Sequence, residues 1–160
     1  MTMATTLARS LTRKQVRFET VRRVRGPAST HPESPTPDTY IPGDRLARTV
    51  LLEDDRGYVI AVLPSTHRLR LSEICAQSGR ALKRVHGDGV REVFRDCAFD
   101  ALPPIGMLHD TPTWIDDSLL LHGDVYFESG DREEVVHMTT AEFGTLFADA
   151  RHGHFSHRMM

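Results

Sequence analysis

Two cysteines, a group of C-terminal histidines, two acidic pairs and one proline-rich loop are the places in this sequence where chemistry could reside. Cys75 falls at helical spacing with Leu71 and reads as packing, the usual fate of a free cysteine. Cys97 adjoins the loop Ala101–Gly106, and the same burial habit favours a structural role for it. Two cysteines build no disulfide framework, so reduced thiols in a cytoplasmic protein are the simplest expectation. His152, His154 and His157 superficially suit a metal, but no thiol lies near and chain ends commonly fray. A metal site needs three or four ligands in fixed geometry, so no metal or other cofactor is expected. Asp54-Asp55 and Asp116-Asp117 are adjacent pairs whose side chains diverge on a strand, so neither makes a two-carboxylate site. Asp54-Asp55 reads as a turn. A phosphate-binding loop with lysine, a Gly-x-Ser-x-Gly elbow and a Cys-x-x-Cys pair are all missing.

The segment Ala101-Leu102-Pro103-Pro104-Ile105-Gly106 is different. Its two prolines fix φ and remove two donors, while Gly106 allows backbone shapes other residues avoid. Such a segment makes a rigid rim whose remaining amides and carbonyls can address a ligand without reorganising. It serves equally well as a tight connection between a helix and a strand, and the residues alone leave both readings open.

The elements that must hold this loop follow from periodicity. Leu7, Ala8 and Leu11 predict a short amphipathic helix over residues 4–14. Val16 to Val21 read as a half-buried strand. Residues 26–42 carry Pro27, Pro32, Pro35, Pro37 and Pro42, which predicts a loop or mobile flap. Thr49–Glu53 and Gly57–Leu63 flank Asp54-Asp55-Arg56 as a hairpin, its second arm apolar on both faces and therefore central. A helix is expected from Leu71, with Ser72 as N-cap and Gly79 as its end. A short strand at 82–85, a helix at 88–94 and strands at 113–115, 124–127 and 134–138 follow. Thr139-x-x-Glu142 is a capping box opening a helix with the apolar stripe Phe143, Leu146, Phe147 and Ala150. Strands interleaved with three or four helices predict an α+β or mixed α/β fold in a single domain over residues 1–160.

Composition limits the function classes. The chain has 160 residues, 39% hydrophobic and 26% charged, as in a soluble globular protein. No apolar run approaches the roughly 20 residues of a membrane span, and no secretory leader is recognisable, so a cytoplasmic location is expected. The net charge of -2 argues against a protein that grips long nucleic acid. Charge is nevertheless segregated: Arg9, Arg13, Lys14, Arg17, Arg22, Arg23 and Arg25 precede the first acidic cluster, with Glu19 the one acid among them. That patch could meet a phosphate backbone, or be a solvated helix face followed by a loop.

Several separated segments agree, in order, with one known family. Gly43-Asp-Arg-Leu-Ala-Arg-Thr-Val-Leu-Leu, Gly57-Tyr-Val-Ile-Ala-Val-Leu-Pro, Leu102-Pro-Pro-Ile-Gly, Ile115-Asp116-Asp-Ser-Leu and Val125-Tyr-Phe-Glu-Ser-Gly130 resemble the YbaK and prolyl-tRNA-synthetase-associated domain family over residues 4–157. The resemblance implies a mixed, largely antiparallel central sheet flanked by helices, with a pocket for the 3′ end of aminoacyl-tRNA. It implies hydrolysis in trans of the ester of mischarged tRNA without a metal, and an aminoacyl-tRNA synthetase as a further partner. By the same resemblance Arg48 and Asp100 fall on the catalytic positions. Ala101, Leu102, Pro103, Pro104, Ile105, Gly106, Asp116 and Gly130 fall on substrate-binding ones. The family's pocket lysine is Arg48 here, and its loop glycine is Asp100. Arginine is planar and forked where lysine is a point charge, so the exchange is not conservative. A pairing of Arg48 with Asp100 would remodel the pocket. A binding module with impaired catalysis is therefore the alternative reading, and an enzyme on another small acyl ester a third.

Overall fold

The computed structural model describes residues 3–22, 41–98, 101–105 and 111–159. Its elements in chain order are α1 (Thr5–Lys14), β1 (Glu19–Arg22), β2 (Leu46–Asp54), β3 (Gly57–Pro64), β4 (His67–Leu69), α2 (Leu71–Ser78) and β5 (Lys83–Arg84). They continue with α3 (Asp88–Val93), β6 (Thr113–Asp116), β7 (Asp124–Glu128), β8 (Glu134–Thr139), α4 (Thr140–Leu146), β9 (Arg151–Gly153) and β10 (Ser156–Arg158). Short 3-10 turns stand at Gly43–Arg45 and Asp117–Leu121. The central sheet runs β1-β8-β7-β2-β3-β6-β9, with β5 also on β2, while β4 and β10 form a separate pair. It is mixed: β2/β3, β7/β8 and β1/β8 are antiparallel, and β2/β7, β3/β6 and β6/β9 parallel. The expected mixed α/β architecture is thus the one observed.

β3 explains why the sheet needs covering on both sides. Ile60 and Val62 enter a core with Leu7, Leu11, Phe127 and Phe143, beneath α1 and α4. Val59, Ala61 and Leu63 alternate into a second core with Ile74, Trp114 and Phe155. A strand apolar on both faces is stable only between two such layers. Each fully buried Leu or Phe contributes roughly 1.5–3 kcal/mol of transfer free energy.

The hairpin turn is fixed by Asp54, whose Oδ1 accepts from the Arg56 amide at 2.8 Å and whose Oδ2 accepts from Arg80 Nε at 2.7 Å. The Arg80 guanidinium holds the Asp54 carboxyl well below the usual carboxylate range. Gly79, at φ 69°, closes α2 in the left-handed conformation as expected.

Four details differ from the sequence reading. The N-cap of α2 is Arg70, not Ser72: the Arg70 carbonyl already accepts from the amides of Glu73 (3.0 Å) and Ile74 (3.2 Å), which places Ser72 in the first turn. The strand expected from Val16 begins only at Glu19, where pairing with β8 starts, and it is a mostly exposed edge. In the capping box Thr139 Oγ1 accepts from the Glu142 amide at 3.1 Å, but Glu142 turns its carboxylate to the Arg17 amide at 3.2 Å. The segment carrying the C-terminal histidines is held in the fold: β9 pairs with β6, β10 pairs with β4, and Phe155 is fully buried between them. The proline-rich stretch, from 26 to 40, lies outside the described residues.

Candidate functional site

The Pro-Pro loop is braced from behind by the β7–β8 connection. The Ala98 amide donates to the Gly130 carbonyl, and the Gly130 amide to the Ala101 carbonyl, both at 2.8 Å. Ala101 also closes on the Ala98 carbonyl at 3.1 Å. Gly130 adopts φ 93°, and a Cβ there would stand 2.8 Å from Ala4 Cβ and 3.3 Å from Cys97 Sγ. Glycine is thus required both by backbone shape and by the approach of two other segments.

The third segment is the start of α1. It has no side-chain cap of its own; Asp96 Oδ2 accepts from the amides of Thr5 (2.8 Å) and Thr6 (3.4 Å). A carboxylate at a helix N-terminus satisfies orphan donors and complements the dipole. The Ala4 amide adds a bond to the Ser129 carbonyl at 2.8 Å. Asp96 was not legible as a cap because its helix lies some ninety residues earlier in the chain.

In the loop itself Ala101, Pro103 and Pro104 are buried, and Leu102 and Ile105 pack against the core under α1. Among the described residues no partner takes the amide of Leu102 or Ile105, the donors that the prolines leave in this stretch. Pro104 and Ile105 wall an open cleft of about 1070 Å³, with Thr111, Pro112 and Thr113 beside them. Across it stand Arg9, Arg13 and Lys14 of α1 and the end of α4 with Asp149. Asp100 and Gly106 lie outside the described residues, so the expected Arg48–Asp100 pairing does too.

Arg48 stands elsewhere. Ala47 belongs to the core under α1, while Val50 and Leu52 belong to the second core, so alternation along β2 turns Arg48 toward the second face. Its Nη2 donates to the His67 carbonyl at 3.0 Å, and its Nε is buried without a partner. Burial, and then the nearby Arg84, push its pKa below the ordinary value. No hydrogen bond or ion pair joins Arg48 to Ala101–Ile105.

Two quoted motifs make their hydrogen bonds within the fold. Gly43 lies against Thr66, and Asp44 accepts from Thr66 Oγ1 at 2.5 Å and from Arg158 Nη1 at 2.8 Å. Asp116 is 2% exposed; it accepts from the Ser118 amide (3.0 Å), Ser118 Oγ (2.5 Å) and the Phe155 amide (2.8 Å). Burial would raise its carboxyl, but the bonds from Ser118 and Phe155 outweigh this and hold it below the usual value.

The histidines and cysteines also find positions. Asp117 draws His152 Nδ1 to 3.0 Å and His154 Nε2 to 3.6 Å, and His157 pairs with Arg68 across β10 and β4. Among the described residues no group of three or more His, Cys, Asp and Glu is set to hold a metal. Burial, with Asp96 beside it, pushes the Cys97 thiol up to about 12, so it is not a thiolate at neutral pH.

A polar cluster on β1, β7 and β8 had no signal in the sequence. His137 Nδ1 meets Glu19 Oε1 at 2.6 Å and its Nε2 meets Asp124 Oδ2 at 2.8 Å. The ring stacks on Tyr126 at 4.3 Å, and Arg45 bonds Asp124 at 3.0 Å. These residues meet only because β1 and β7 both pair with β8.

The family model described as "Aminoacyl-tRNA editing domain" matches residues 36–146. The chain belongs to the aminoacyl-tRNA editing domain family. Among solved structures, a candidate trans-editing enzyme for prolyl tRNA synthetase superposes with TM-score 0.73 at 17% identity, over 94% of each chain. A candidate signal transduction protein from Marinobacter aquaeolei superposes with TM-score 0.76 at 22% identity, over 97% of this chain. The present chain spans 31% of that protein's length. At these identities the likeness is one of fold. No curated protein matches the sequence. Among the described residues no helix is long and apolar enough to cross a membrane.

Proposed function

We propose that this protein is a deacylase that hydrolyses, in trans, the ester joining a wrongly attached amino acid to tRNA. The observation that carries the reading is the family match across residues 36–146, which includes the braced Ala101–Ile105 loop. Water would attack the ester carbonyl, the bond to the ribose oxygen would break, and free amino acid and deacylated tRNA would leave. The Leu102 and Ile105 amides, which have no partner among the described residues, are suited to hold the developing oxyanion, because fixed donors need no reorganisation. Asp100, Ala101–Gly106 and Gly130 are the residues we assign to this site, with no metal and no cofactor; Arg48, which β2 turns to the other face of the sheet, is assigned to the tRNA end by the family resemblance alone. A synthetase that releases the mischarged tRNA is the natural partner. The test is incubation of purified protein with a panel of mischarged tRNAs, including alanyl- and cysteinyl-tRNA(Pro). Release of amino acid well above spontaneous hydrolysis supports the reading, and no acceleration on any member removes it.

One observation favours a second reading. Arg48 stands where the family carries lysine, and its Nη2 is engaged with the His67 carbonyl. A fold that binds aminoacyl-tRNA without cleaving it would follow. The double substitution Arg48→Lys, Asp100→Gly would then gain a hydrolysis that the parent lacks.

A further inference from the structure

We infer that the outer face of α1, together with the cleft it borders, is the track along which the phosphate backbone of an RNA stem lies. The inference deepens the deacylase reading and rests on it for the identity of the RNA.

The first support is charge segregation. The whole chain carries a net -2, yet α1 contains no acid and presents Arg9, Arg13 and Lys14. Arg9 and Arg13 are exposed and one helical turn apart, a like-charge spacing that destabilises a helix by a few tenths of a kcal/mol. The helix dipole compensates at Arg13 and Lys14 in the last turn but not at Arg9 in the middle. Among the described residues no carboxylate comes within ion-pair distance of any of the three. Among the described residues Asp149 is the acid on the cleft wall.

The second support is position. The cleft runs along α1 past Thr6, Ser10 and Lys14, and its other wall is Pro104 and Ile105 of the loop. At 1.5 Å per residue Arg9 to Lys14 offer a basic edge about 7.5 Å long, on the cleft that Pro104 and Ile105 also line. An anionic membrane fits less well, because Leu7 and Leu11, the apolar face of α1, are buried in the core and cannot insert.

The test uses deacylated tRNA, so it does not depend on hydrolysis. Wild type, Arg9→Glu/Arg13→Glu and a control, Arg68→Glu/Arg70→Glu on the other side of the sheet, are compared for tRNA affinity from 50 to 300 mM salt. All four positions are exposed, so thermal unfolding should be unchanged and is checked first. Each neutralised phosphate adds about 0.7–0.9 to the slope of log K against log salt. The α1 variant is expected to bind at least tenfold more weakly, with the slope smaller by about 1.5, and the control to match wild type. Equal affinity of the α1 variant and wild type, equal loss in the control, or no tRNA binding by wild type would overturn the inference. So would α1-dependent binding to phosphatidylserine vesicles with tRNA affinity untouched. Helix-dependent tRNA binding without hydrolysis of any mischarged tRNA would sustain the inference and remove the deacylase reading instead.

Discussion

Gly130 and Ala101 are joined amide to carbonyl at 2.8 Å, and this bond ties the start of the Pro-Pro loop to the β7–β8 connection. Substituting Gly130→Ala forces a Cβ to within 2.8 Å of Ala4 Cβ at a φ of 93°. Strain of this kind costs on the order of 1–3 kcal/mol. Urea unfolding should show that loss, and hydrolysis should fall because the loop is displaced. Gly144→Ala is the control: it sits in α4 with nothing within 4 Å of the added methyl, and should gain about 0.5–1 kcal/mol. Equal behaviour of the two variants would remove the bracing role.

Asp116 belongs to a motif that the family resemblance makes substrate-binding, yet both its oxygens are engaged within the fold. Asp116→Ala leaves the buried Phe155 amide without an acceptor, at a cost of about 1–3 kcal/mol. The expected result is a lower unfolding midpoint with KM unchanged for the protein that remains folded. A raised KM at unaltered stability would return Asp116 to the substrate.

Much of the frame was legible because it is written locally. The β2–β3 hairpin, α1, the α2 end at Gly79 and the α4 start at Thr139 each follow from spacing, turn chemistry or a cap. β4, β9 and β10 were not legible, being three-residue strands defined by their partners rather than by their own pattern. The same limit hid the candidate site's supports. Asp96 caps a helix far away in sequence, and His137 gains its carboxylates only through the β1–β8–β7 pairing. The loop was visible as rigid, while its brace at Gly130 is a tertiary fact.

His137 makes a pH prediction. Burial alone would lower its pKa, but Asp124 and Glu19 raise it above the ordinary value of about 6.5. The protonated ring is therefore the form the fold favours. Its contribution is full below the unfolded value and disappears as pH rises through the folded one. The difference in melting temperature between wild type and His137→Ala should be largest near pH 5.5 and shrink by pH 9. A constant difference across that range would mean that packing on Tyr126, not charge, is what the ring supplies.

Arg48 separates stability from function. Its guanidinium is half-buried beside Arg84, with Nε unpartnered, and spends one bond on the His67 carbonyl. A buried donor left unmade is costly, so replacing the charge with an apolar chain of similar length should cost little. Arg48→Met is expected to hold unfolding free energy within about 1 kcal/mol of wild type, or to raise it. If the guanidinium positions the ester or a terminal phosphate, the same variant loses at least tenfold in kcat/KM on aminoacyl-tRNA, and Arg48→Lys recovers part of it. Wild-type kcat/KM in Arg48→Met would place the chemistry wholly on the loop side of the sheet. A loss of stability beyond 2 kcal/mol would show instead that the His67 contact holds β4 onto the sheet, and that Arg48 is structural.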